Sequence, residues 1–118
     1  MATYSKELLK GAADTLVLST FADGEKYGYQ VVKELEHRSE GFFRFKEGTL
    51  YPILHRLERQ GLLTGRWETK SHGSERRYYS LTAKGETVLG DKLTEWKSFS
   101  QAVGRVTGSM ALDWNEVK

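Results

Sequence analysis

A chain of 118 residues, 38% hydrophobic and 29% charged, has the length and balance of one soluble globular domain and is too apolar for disorder. It holds no cysteine, which excludes a disulfide framework and a thiolate metal site. The net charge is only +2, yet eight basic residues against four acids give the stretch from Arg44 to Tyr79 a local +4. That stretch reads either as a phosphate-binding surface or as a solvated charged face.

The opening residues, Met1 to Gly11, carry charges among leucines and lack a signal-peptide core. No apolar run approaches the ~20 residues that span a bilayer, so the expected location is the cytoplasm, away from membranes. Residues 5–21 predict a broad, largely buried helix: Leu8, Ala12, Leu16 and Thr20 are four apart, with Leu9, Ala13 and Val17 beside them and Asp14 interrupting the stripe. Asp23-Gly24-Glu25-Lys26 reads as a turn. A second helix follows over 27–38, with Gly28, Val31, Val32 and Leu35 on one face and Gly41 stopping it. Phe42, Phe43 and Phe45 make a short aromatic link.

A third helix is predicted over 48–60, with Pro52 tolerated in a first turn where N–H groups lack partners. At about 100° per residue, Leu50, Ile53, Leu54 and Leu57 gather on one side. Gly48, Pro52, His55 and Arg59 point away, flanked by Thr49, Tyr51 and Arg56. Two strands with a period of two follow, over 63–68 and 76–81, around a polar tip from Thr69 to Glu75 that contains Gly73. Thr82 is an N-cap for a last helix, with Glu86 near its positive end. The apolar positions Leu89, Leu93, Trp96, Phe99, Val103, Val106 and Met110 are heptad-like and ask for a partner, either a second copy or the chain's own first helix. From Gly108 onward the pattern is lost. The fold class is therefore mainly α with a small β-hairpin: a winged helix-turn-helix over 1–81 plus a C-terminal dimerisation helix and tail over 82–118.

In helix-turn-helix proteins the second helix of the motif enters the major groove and offers its N-terminal half to base edges. The 48–60 helix has an aliphatic side to anchor it and an outer side of hydroxyls, an imidazole and guanidinium groups, from Thr49, Tyr51, His55, Arg56 and Arg59. The alternatives are a core aromatic for Tyr51 and a solubilising face for the two arginines. The tip residues Lys70 and His72, and the pair Arg76 and Arg77, suit salt-dependent backbone or minor-groove contact, or else an ordinary polar hairpin.

The run GTLYPILHRLERQGLL from Gly48 to Leu63, the run Arg77-Tyr78-Tyr79-Ser80-Leu81-Thr82 and the triplet Tyr27-Gly28-Tyr29 together resemble the PadR family of bacterial transcriptional regulators, over residues 5–107. The resemblance implies a homodimeric repressor on a palindromic double-stranded DNA operator, in the branch with a single dimerisation helix, and sets Tyr27 among the DNA-facing residues. In that branch some members bind flat aromatic compounds against a tryptophan of the last helix. Trp96 lies in the matching stretch, with Asp14, Thr15 and Ser100 as polar neighbours. Trp96 as plain interface core and Asp14 as a capped or solvated group are the alternatives. The residues imply no cofactor, metal or enzyme: His37, His55 and His72 lack ligand spacing, and no phosphate loop or nucleophile elbow occurs. The rival class is a winged-helix protein–protein adaptor, which should show an apolar or acidic outer face on the third helix.

Overall fold

The computed structural model describes the backbone of residues 6–108 and side chains from Gly11. The elements are α1 (Lys6–Ser19), β1 (Lys26–Tyr27), α2 (Gly28–Arg38), α3 (Glu47–Arg59), β2 (Leu63–Thr69), β3 (Glu75–Leu81) and α4 (Ala83–Thr107). This is the winged-helix order read from the sequence, with one strand added. Residue 5, the side chains of Leu8 and Leu9, Met110 and the tail beyond Gly108 lie outside the described residues. Among the described residues no helix is long and apolar enough to cross a membrane.

Val17 and Leu18 of α1 and Phe21 of the turn after it meet Val31 and Leu35 of α2 and Leu50, Leu54 and Leu57 of α3. Phe45 of the aromatic link, Leu62, Leu63, Tyr79 and Leu89 close this core. Leu50, Leu54 and Leu57 have no exposed surface, so α3 is anchored by its aliphatic side as its periodicity requires.

The segment read as a turn running into α2 behaves differently. Lys26 and Tyr27 pair antiparallel with Tyr79 and Tyr78, so the sheet has three strands in the order β1-β3-β2. Tyr27 is thus the N-cap of α2 rather than its first residue, and its N–H donates to Gln30 Oε1 at 3.0 Å. Helix α3 starts one residue early, at Glu47, which places Pro52 in the second turn. There its missing N–H leaves the carbonyl of exposed Gly48 without its intrahelical donor.

β2 and β3 pair in register, Leu63 with Leu81, Gly65 with Tyr79 and Trp67 with Arg77, out to Thr69 with Glu75. The tip closes through Lys70 N–H to Ser74 O at 2.7 Å and Gly73 N–H to Lys70 O at 2.9 Å. Thr82 caps α4 as predicted, its hydroxyl oxygen accepting Gly85 N–H at 2.9 Å and donating to Gly61 O at 2.6 Å. Farther along α4, Leu93, Trp96, Phe99 and Val106 stand exposed, the last by 88%.

Candidate nucleic-acid interface

The outer side of α3 carries Gly48, Thr49, Pro52, His55 and Arg59, all exposed. Among the described residues the side chains of Thr49 and Arg59 make no hydrogen bond or ion pair within the chain. Both are free to meet an outside partner. Lys46, exposed just before the helix, is equally unpaired. In the sequence Lys46 stands out only as one of the eight basic residues between Arg44 and Tyr79. Its signal was its place one residue ahead of a helix whose first N–H groups face outward.

Tyr51 is half-buried, with its ring packed over Gly28. A Cβ at that glycine would come within 2.5 Å of the Tyr51 hydroxyl oxygen, so only a glycine admits the ring. Burial raises the Tyr51 pKa first, and the nearby Glu47 carboxylate raises it further, while Arg76 opposes both. The Arg76 guanidinium lies 3.9 Å from the centre of the Tyr27 ring, which meets Tyr78 edge-on at 5.3 Å. Tyr27, Tyr51 and Arg76, distant in sequence, are therefore joined into one cluster where α2, α3 and the wing meet. Lys70 and His72 sit apart at the tip, with His72 Nδ1 3.0 Å from Ser74 Oγ.

Three residues expected to be free are committed inside the fold. Arg56 Nη1 and Nη2 donate to Asp14 Oδ2 and Oδ1, each at 2.8 Å, which ties α3 to α1. That pairing holds the Asp14 carboxyl below its usual range, mainly through the hydrogen bonds, with burial opposing. The expectations of an outward Arg56 and an available Asp14 carboxylate are corrected accordingly, because each satisfies the other. Arg77 turns back toward the body: Nη2 donates to Glu58 Oε2 at 2.6 Å and the guanidinium lies against Trp67 at 5.2 Å. Arg66 is likewise held, Nε to Glu25 Oε1 at 3.0 Å and Nη1 to Glu68 at 2.9 Å.

Of the expected aromatic-ligand residues, Trp96 is 44% exposed and stacks on Phe99 at 6.0 Å, with the rings 29° apart. Ser100 is buried, and Thr15 is half-buried with its carbonyl accepting Ser19 Oγ at 2.7 Å. Among the described residues no group of three or more His, Asp or Glu is placed to hold a metal ion.

A helical trio that turns one polar helix face outward beside a basic three-stranded wing defines a winged helix-turn-helix regulator. The profile of the PadR-like transcriptional regulator family matches residues 17–91. The chain is 36% identical over 84 residues to transcriptional regulator Rv3488 of Mycobacterium tuberculosis, covering 71% of this chain and 75% of that one. A transcriptional regulator from Clostridium thermocellum superposes with a TM-score of 0.79 at 27% identity, over 87% of this chain and 97% of that one. Bacillus subtilis PadR, a negative transcriptional regulator solved in complex with operator DNA, superposes with a TM-score of 0.64 at 27% identity, over 69% of this chain and 46% of its own. The chain belongs to the PadR-like family of transcriptional regulators.

Proposed function

We propose that this regulator is a repressor that binds a palindromic double-stranded DNA operator as a homodimer. The observation that carries the reading is the outer side of α3, where Thr49, His55 and Arg59 are exposed on a helix locked from behind by buried leucines. The operator complex of the Bacillus subtilis relative supports the DNA partner, and that protein's description as a negative regulator supports the sign. Thr49 and His55 would reach base edges, with Lys46, Arg59, Lys70 and His72 on the backbone or in the minor groove. The Tyr27–Tyr51–Arg76 cluster would set the distance between α3 and the wing. Arg56 and Arg77 act from behind, as braces.

Residues 1–81 form the DNA-binding unit and 82–118 the pairing unit in this reading, although Gly85 and Leu89 are built into the winged-helix body. Leu93, Trp96, Phe99 and Val106 form an exposed apolar stripe along α4, which suits burial against a second copy. The exposed, stacked Trp96 is the platform a planar aromatic effector would use. Ser100 and Thr15 would neighbour it, whereas the Asp14 carboxylate is already taken. Selection of bound duplexes from a random pool tests the whole proposal, since it reports binding, half-site spacing and two-fold symmetry together. Steeply salt-dependent retention with symmetric sites is the expected result. Negligible, salt-insensitive binding would instead favour the adaptor role.

A further inference from the structure

Aliphatic packing holds α3 against the core but is non-directional, so it resists separation better than it resists rolling. A roll of about 20° moves a side-chain tip ~6 Å from the helix axis by about 2 Å, more than the window of a hydrogen bond. The Arg56–Asp14 contact is directional, with two 2.8 Å bonds from one planar fork to one carboxylate. Thr49 and Arg56 lie seven residues apart, about 20° around the axis. The strip of α3 that presents Thr49 at one end is therefore fastened to α1 at the other. Helix α1 in turn packs against α4, which gives the fastening a fixed frame.

We propose that Arg56 is a positioning residue for DNA recognition: its bidentate grip on Asp14 fixes the roll of α3 and so aims Thr49, His55 and Arg59 at the groove. The inference rests on the DNA-binding reading. Ion pairs this exposed contribute little to stability, and this one, with Arg56 40% exposed, adds only a small increment to the fold. Its directional geometry is what the proposal uses.

The test is a double-mutant cycle with Asp14→Asn, Arg56→Gln and the double variant. Affinity for the selected operator is measured against a random duplex of equal length, alongside thermal melting. Each single variant should lower the ratio of operator to random affinity by about tenfold, equivalent to one good base contact, and the double variant should lower it no further. A purely structural role would lower the melting temperature and leave that ratio unmoved, which would overturn the proposal. Loss of the ratio in Arg56→Gln with Asp14→Asn unaffected would overturn it too, by making Arg56 a direct contact. Additive losses would do the same. Failure of the unmodified protein to bind any duplex would instead sink the DNA reading itself.

Discussion

Two glycines of α4, five residues apart, should respond oppositely to the same substitution. Gly85 is buried where α4 crosses the exit of α3, and a methyl group there would land on the Leu62 carbonyl oxygen, with Leu81 Cδ2 3.1 Å away. The obstruction is backbone, so the first turn of α4 must shift. That carbonyl already accepts Thr82 N–H at 3.1 Å, and Thr82 ties down both Gly61 and Gly85. Overpacking costs about 1–3 kcal/mol and loss of the Thr82 cap about 1 kcal/mol, with a similar amount for the broken bond to Leu62. The gain in helix propensity returns about 1 kcal/mol, leaving a net loss of about 3 kcal/mol for Gly85→Ala. Gly90 is exposed with nothing within 4 Å of an added Cβ, so Gly90→Ala keeps only the propensity gain of about 1 kcal/mol. In thermal melts followed by far-ultraviolet circular dichroism at one fixed concentration, Gly85→Ala should melt roughly 15 °C lower and Gly90→Ala a few degrees higher. If Gly85→Ala melts within about 2 °C of the parent, the close approach of α4 to Leu62 is not what holds the helix there.

Glu40 has φ of 53°, a left-handed conformation that costs a side-chain-bearing residue roughly 1 kcal/mol, so Glu40→Gly should raise the urea midpoint slightly; a lower midpoint would show no strain at that turn. Asp14 has its pKa depressed by Arg56, so the pair contributes stability above the unfolded value near about 4 and loses it as pH falls through the folded pKa. Asp14→Asn should therefore flatten the acid limb of a stability–pH curve, and an unchanged limb would show that the pair is broken in solution. Arg59→Ala and Lys70→Ala should each weaken binding to all duplexes alike and reduce the salt slope by about one, whereas an unchanged slope would remove that residue from the phosphate contacts. Trp96→Ala should abolish fluorescence quenching by planar aromatic ligands; quenching that persists would assign the platform elsewhere.

The element order, the aliphatic side of α3 and the Thr82 cap were legible because each is written within a few consecutive residues. What escaped the sequence depends on partners far along the chain. Strand β1 is two residues long and exists only because Tyr78 and Tyr79 lie alongside it. A helical wheel gave Arg56 its angle but not its neighbour, since the Asp14 carboxylate is 42 residues away. Arg77 alternated correctly along β3, yet nothing local showed that its fork closes on Glu58. The first turn of α3 was misplaced by one residue because Lys46 offers no side-chain cap to mark it.

The basic stretch is not one uniform surface, and its division bears on how salt acts. Arg56, Arg66 and Arg77 each face a carboxylate that largely cancels their charge. Lys46, Arg59 and Lys70 have no such partner among the described residues, so they carry the field that an approaching phosphate meets. Raising ionic strength screens this exposed set first and shrinks the entropy gained when counterions leave the DNA. The Arg56–Asp14 and Arg77–Glu58 pairs are partly shielded from solvent and hydrogen-bonded, so they weaken less. Salt should therefore strip the protein from DNA while the orientation of α3 persists, and affinity should recover fully on dilution without a refolding step.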